Sequence, residues 1–540
     1  MDKIPNEVIE LVVFEAEFGG EPGDPDWETI YSRAPIWEFE RARSLALYTA
    51  VCRRWQHIFE PYTFKLLDIS PKRLAQAERE GILNPRRLSY IRTIKIPIIF
   101  PWKFTPGRRN EEDDEIDDDE MGEDEEEDEV MDEVEEAVED DGDDEWEDAD
   151  EDEEDEDDGR PLLERRGYNH AIFDSSIRRI FHLLSKAPAR DKPHIDMIFC
   201  IMVPEEFVWT GFYPPDEAEA AQTESGQVKP VYLDLQLEDN EELPEIPVVN
   251  NCTFELISWS LFFSPTVMCR MVSKMTQLKR LELDLSDEER RDPALRIEQR
   301  QGLAESLHTL PDTITHFELR YSRPTPDDHS LRQQNIIPPG QTYDNLSKAL
   351  YTFSLRENLV KFVANGSWEA DIFHPSDKDI TLVSLWPKME TYQVGFLPVT
   401  PSGKWLAIDH PSTRLREEDL WFEDSDVVGK IFRGPVDPRF AKRVLPLLGR
   451  VATHSPKLKS MKMDAGVPSE YHIWYSGRMH GNDTEASKRK ACMKITGKFI
   501  PKPDEEALRV WREAAEAHGQ ELYLEWNDHS RNPRRKEYFE

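Results

Sequence analysis

The feature that most constrains this chain is a short apolar pattern that keeps returning. LSYIRTIKIPI (Leu88 to Ile98), IDMIFCI from Ile195, LKRLELDL from Leu278 and ITHFELRY from Ile314 carry it, and so do LVKFVAN from Leu359, METYQVGF from Met389 and LKSMKMDA from Leu458. Each reads as apolar-x-x-apolar-x-apolar. The closing alternation is what a half-buried strand requires, because successive side chains point to opposite faces. ELYLEW, Glu521 to Trp526, keeps only the alternating half.

Helical patterns precede most of these strands. YNHAIFDSSIRRIFHLLSKAP leads into Ile195, PTVMCRMVSKM into Leu278 and DNLSKALYTFSLREN into Leu359. FAKRVLPLLGRVATHSP leads into Leu458, and PDEEALRVWREAAEAHG into the last strand. That last helix shows its start and stop chemistry: Asp504 to cap, Glu505 and Glu506 at the positive end of the dipole, Gly519 to end it. Strand after helix, spaced by about thirty to eighty residues, predicts an α/β chain. The strand pattern resembles that of leucine-rich repeats, which implies an irregular solenoid with apolar positions inside and intervening residues on a concave sheet. Glu282, Asp284, Glu318, Arg320, Gln393, Lys462 and Asp464 are the expected face residues, and a mixed polar sheet of this kind suits protein recognition.

The N-terminus reads differently. In LALYTAVCRRWQHIFEPYTF, Leu45 to Phe64, residues Leu47, Val51, Trp55 and Ile58 recur at steps of four, four and three, which predicts one helical stripe. In IPNEVIELVVF, Ile4 to Phe14, Pro5 suits a first helical position and Val8, Leu11 and Val12 line one side. Two such short helices are marginal alone and must pack on something else. These segments, followed by TFKLLDIS, resemble the F-box, the helical module that docks on the Skp-type adaptor of cullin–RING ubiquitin ligases. Pro5 matches its Leu-Pro opening and Val51-Cys52-Arg53-Arg54-Trp55 its Val-Cys-(Lys/Arg)-x-Trp core. The chain departs from the family by inserting Gly19 to Arg43 between the two helices. The resemblance implies that Ile4, Pro5, Ile9, Leu47, Val51, Cys52 and Trp55 meet the adaptor.

Charge is concentrated in one place. Glu111 to Asp158 holds 37 of the chain's 110 acidic residues and no Lys or Arg; without it the net charge of −43 becomes −6. Carboxylates this dense repel at physiological salt, so residues 111–160 are expected to be a disordered insertion. Such a run reads either as a solvated linker inserted in a loop or as a landing strip for a basic partner, and it repels phosphates, which argues against nucleic acid as a partner. Five cysteines lie far apart without a CxxC pair, which argues against a disulfide framework and a structural zinc site and favours a reducing compartment. No apolar run approaches the ~20 residues that span a bilayer, and no secretory leader is read, so a cytoplasmic or nuclear protein without a membrane partner is expected.

Catalytic motifs are absent: no GxSxG, GxxxxGK(S/T), HExxH or GxGxxG after a strand. Asp327-Asp328-His329 is the nearest approach to a metal or acid–base constellation, but its Pro-flanked position predicts a turn with a satisfied imidazole. His316, His472 and His480 are read the same way, and SKRK (Ser487 to Lys490) and PRRK (Pro533 to Lys536) are short basic clusters consistent with nuclear import signals or solvated loops.

The expected organisation is an F-box-like module at 1–70 with its insertion at 19–43, then a first helix–strand unit at 71–110. The acidic insertion and a recognition domain at 161–540 follow. The order of these parts resembles fungal F-box-like proteins with uncharacterised C-terminal regions. That resemblance implies a non-catalytic substrate receptor of an SCF-type ligase, without cofactor or metal, joined through the adaptor to a cullin and through its C-terminal domain to a protein substrate. Two other readings stand beside it: a protein-interaction scaffold outside any ligase, and an acidic chaperone that binds basic proteins through residues 111–158.

Overall fold

The computed structural model describes residues 49–99, 162–188, 192–202, 231–233, 242–255, 261–287, 293–323, 326, 328–373, 385–410, 432–466, 471–477, 490–530 and 537–539. Ile4, Pro5, Ile9, Leu47, the 19–43 insertion, the acidic run, Asp327, His480 and the basic cluster at 533–536 lie outside the described residues, as do the first three residues of SKRK.

Helix α1 (Arg53–Thr63) is followed by strand β1 (Leu66–Asp68), helices α2 (Pro71–Arg79) and α3 (Pro85–Leu88), and strand β2 (Thr93–Ile99). Helix α4 (Leu162–Ser185) leads to β3 (Ile195–Met202), β4 (Val231–Leu233), β5 (Val249–Glu255) and β6 (Leu261–Phe263). Helix α5 (Pro265–Ser273) precedes β7 (Arg280–Ser286), α6 (Pro293–Ser306) precedes β8 (His316–Ser322), and α7 (Asn345–Ser354) precedes β9 (Lys361–Gly366). Strands β10 (Thr391–Phe396), β11 (Ala407–Asp409) and β12 (Arg433–Val436) then lead to α8 (Pro438–Thr453) and β13 (Ser460–Ala465). Strands β14 (Tyr471–Ser476) and β15 (Lys490–Gly497), helix α9 (Glu505–Ala517), and strands β16 (Glu521–Asp528) and β17 (Glu537–Phe539) close the chain.

Local chemistry explains many helix starts. A capping side chain followed by proline recurs: Ser70 before Pro71, Asn84 before Pro85 and Asp437 before Pro438, each side chain accepting from a first-turn N–H. Asp504 caps α9 by accepting from Ala507 N at 3.0 Å, and Gly519 leaves the helix at φ +67°, as the sequence predicts.

The fold is mixed α/β around one large sheet. Thirteen strands join in the order β1-β2-β3-β5-β7-β8-β9-β10-β13-β14-β15-β16-β17. The first nine are parallel; β14 runs antiparallel to both neighbours, β15 and β16 pair parallel, and β17 returns antiparallel. Parallel neighbours need a crossover of a dozen residues or more, and the predicted helices supply most of them. Apolar residues of one sheet face, such as Ile96, Phe199, Leu283, Leu319, Phe362, Tyr392, Met463 and Ile495, join helix residues such as Phe181, Met268, Leu350, Leu448 and Trp511 in a single continuous core.

Two expectations are corrected here. The solenoid is not what the described residues build: they make one open sheet, not a stack of equal coils. Strand starts at 280, 316, 361, 391 and 460 keep no constant period, and antiparallel strands finish the sheet. Equal coils require a fixed repeat length, which this chain lacks. The single stripe over Leu45 to Phe64 is also interrupted. Ala50 and Val51 form a turn, and Cys52 is extended at φ −165°, ψ 169°, so α1 starts only at Arg53. Strand β1, within the expected N-terminal module, is already part of the sheet.

Helix α6 was not foreseen. Its inward face carries two arginines, 3% exposed each, instead of an apolar stripe. Arg296 donates to both oxygens of buried Asp287 at 2.7 and 2.6 Å. Arg300 reaches Asp344 at 3.1 Å and the Ser367 carbonyl at 3.1 Å, between the rings of Tyr321 and Trp368. Burial works against this charge, but Asp344 and Asp287 outweigh it and hold Arg300 cationic. Removing one partner of a buried pair leaves the other charge uncompensated. Asp287→Ala is therefore expected to destabilise the fold by about 3–5 kcal/mol, read from denaturant unfolding of the full chain.

Candidate protein-recognition face

Strand alternation gives the sheet a second face with many polar residues. On β7, Leu281, Leu283 and Leu285 are buried while Glu282 and Asp284 stay half-buried. Register then aligns such residues across strands. Glu282 faces Glu318, and Asp284 faces Arg320. Gln393 faces Lys462, and Gly395 faces Asp464. Thus Glu282, Asp284, Glu318 and Arg320 form one cluster on β7 and β8. Gln393, Lys462 and Asp464 form another on β10 and β13, with β9 between.

Charges on this face are paired with one another. Arg280 meets Glu282 at 2.9 Å; Glu318 meets Arg320 at 2.8 Å and Lys361 at 3.2 Å. Asp464 holds Lys462 at 2.7 Å and His472 Nδ1 at 2.6 Å. Burial alone would raise the Glu318 pKa, but Lys361 and Arg320 outweigh it and hold the carboxyl below the usual range. Burial, then the charges of Arg280 and Lys361, push the His316 imidazole below its ordinary value.

Sequence reasoning missed several members of the face. Lys361, Val363 and Asn365 of β9 occupy the alternate positions of LVKFVAN, a segment that the pattern reads as a strand without assigning these three to the face. Trp474 faces Lys462 on one side and Lys494 on the other, from strands without the leading apolar residue of the repeat pattern.

The second candidate surface lies at the start of α1. Val51 is 55% exposed and Cys52 is exposed, while Trp55 is half-buried against Phe59 at 5.5 Å. The helix is anchored from its other side. Glu60, 1% exposed, receives Arg87 at 2.6 and 2.9 Å, Gln56 at 2.8 Å, and Arg86. Burial opposes this carboxylate, but Arg87, Gln56 and Arg86 together bring its pKa below the usual value.

Other chemistry is accounted for structurally. His329 is buried; its Nδ1 accepts from Phe432 N at 3.1 Å and Arg433 N at 2.9 Å, so it pins a loop. Asp328 accepts from Ser330 N at 2.7 Å, the turn expected there. Burial pushes the thiols of Cys200 and Cys269 up to about 12, away from a reactive thiolate. Among the described residues no group of three or more His, Cys, Asp or Glu side chains converges on a metal site, and no helix is long and apolar enough to cross a membrane. A cleft of about 480 Å³ on the helix side, lined by Glu78, Arg178, Arg179, His182 and Glu242, carries charges of both signs.

Comparison with known proteins finds no significant match, whether to a family model, a curated protein or a solved structure.

Both depressed carboxylates have the same linkage sign. Their contribution is complete above the ordinary carboxylate pKa and is lost as pH falls through the lowered, folded-state value. Glu60→Gln and Glu318→Gln are each expected to flatten the acid limb of stability relative to wild type, checked by unfolding midpoints between pH 7 and 3.

Proposed function

We propose that the chain is a substrate receptor of an SCF-type cullin–RING ubiquitin ligase. Its N-terminal segment holds the Skp-type adaptor and the polar sheet face holds a protein substrate. The observation that carries this reading is Val51. It is a large apolar side chain at the start of α1, in the Val-Cys-Arg-Arg-Trp motif, and it is 55% exposed. The helix beyond it is tied down through buried Ile58, Phe59 and Glu60. An apolar side chain held out in the turn just before an anchored helix is suited to burial by a partner, whereas a segment that only capped the sheet would turn its motif residues inward.

In this reading the receptor performs no bond chemistry. It raises the effective concentration of a substrate lysine near a charged conjugating enzyme, so its contribution is proximity. The sheet supports that role because β1, which directly follows α1, belongs to the same sheet as the polar face on β7 to β14. Docking surface and recognition surface therefore share one continuous scaffold. Substrate position would be transmitted through in-register strands, not through a flexible linker.

Val51→Asp places a charge on an exposed position and should leave circular dichroism and unfolding unchanged. Wild type is expected to capture the Skp-type adaptor from purified components, and the variant at least tenfold less. Absence of adaptor binding by the wild type sinks the ligase reading in favour of a scaffold that works through the sheet face alone.

A further inference from the structure

The centre of the polar face differs chemically from its flanks. Besides Lys361, the residues of this face on β9 and β10 are Val363, Asn365, Thr391, Gln393 and Gly395, none of them charged. Charge pairs bound this strip on both sides: Glu318 with Lys361, and Lys462 with Asp464. Asn365 sits opposite Gly395 and Val363 opposite Gln393. Added to Gly395, a Cβ would collide with Asn365 Oδ1, so the Asn365 carboxamide lies over the bare backbone of β10. Val363 beside it is buried, 3% exposed. Among the described residues neither Asn365 nor Gln393 has a side-chain hydrogen-bond partner in the chain.

Two carboxamides therefore stand along the line of β10, one over Gly395 and one at Gln393, two residues apart. Two residues of strand correspond to about 6.6 Å. That is also the repeat between residues i and i+2 of any extended polypeptide, whose N–H and C=O groups recur on the same side at that interval. A carboxamide offers one acceptor and two donors, the complement of a backbone N–H and C=O. The missing side chain at Gly395 is what leaves room for the Asn365 carboxamide on this face.

From this juxtaposition we infer that the β9–β10 strip is a main-chain clamp for an extended peptide segment of a protein partner, with Asn365 and Gln393 bonding its backbone at alternate residues. The flanking pairs, already neutralised, accept side chains of either sign at its edges. The inference rests on the proposed role of the polar face and deepens it: the partner is recognised as an unfolded or extended segment, with its backbone contributing affinity and its flanking side chains selectivity. Carboxamides also read adenine edges, but the charges of this face are already paired with one another and leave no basic surplus for a phosphate backbone.

The test uses the full chain and a displayed library of random 12-residue peptides. Selected peptides are synthesised and their affinities measured by fluorescence anisotropy. Asn365→Ala and Gln393→Ala are each expected to weaken binding roughly tenfold. Gly395→Ala, which keeps Asn365 but displaces its carboxamide, should match Asn365→Ala. N-methylation of the peptide should be damaging at alternate amides only. Peptides that bind all three variants like wild type overturn the clamp. If they instead lose affinity with Glu282→Lys or Lys462→Glu, the recognition face stands and only the clamp fails. Tight binding of a 15-mer oligoadenylate that is lost in Asn365→Ala would also overturn it. Adaptor capture by Val51 is read separately and is unaffected by any of these outcomes.

Discussion

Each apolar side chain that a strand of this sheet sends toward the helices obliges its neighbours to point the other way. Period-two alternation is rigid: a register slip of one residue would move an entire strand's apolar set to the wrong face. Across β7, β8, β9 and β10 the register holds Leu281, Phe317, Phe362 and Tyr392 in one buried row. It therefore also holds Glu282, Glu318, Val363 and Gln393 in one row on the opposite face. The candidate site is a consequence of core packing. It needs no loop to position it, because its side chains stand on hydrogen-bonded strands.

Electrostatics on the two sides of the sheet is handled differently. On the open face, pairs such as Glu318–Lys361 and Lys462–Asp464 are partly solvated and contribute little to stability individually. Their effect is to neutralise the surface and lock side chains into a fixed array. Beneath the helices, Asp287, Arg296, Arg300 and Asp344 are nearly sealed from water. There the charges depend on one another and on fixed polar partners, and the cluster fastens α6 and α7 to the strand ends near Ser367. A buried ion-pair group is weak as a source of stability but strong as a specifier of which helix sits where.

The N-terminal region joins this scaffold directly. Glu60 binds Arg86 and Arg87 of α3, and α3 leads into β2, so α1 is tied to the sheet through a charge-assisted contact as well as through Ile58 and Phe59. Val51 and Cys52 lie just before that anchored helix and remain exposed. An adaptor docked there and a peptide clamped on β9 and β10 would be connected by hydrogen-bonded strands along the whole path.

The sequence by itself determined the strand and helix alternation wherever the apolar period was clean, as in LKRLELDL, ITHFELRY and PDEEALRVWREAA, because burial on one face leaves a period that can be read locally. It also placed Glu282, Glu318, Arg320 and Lys462 on strands, since residues between apolar positions must face away from the core. Only the tertiary structure decided that these strands share one open sheet in place of a solenoid, because pairing direction and crossover geometry are not encoded in a six-residue pattern. It alone revealed α6, whose buried face is written in arginine, and the break at Cys52, where backbone conformation interrupts an otherwise helical stripe. The meeting of Asn365 with Gly395 across two strands thirty residues apart was likewise invisible, since cross-strand register is set by packing over the whole sheet.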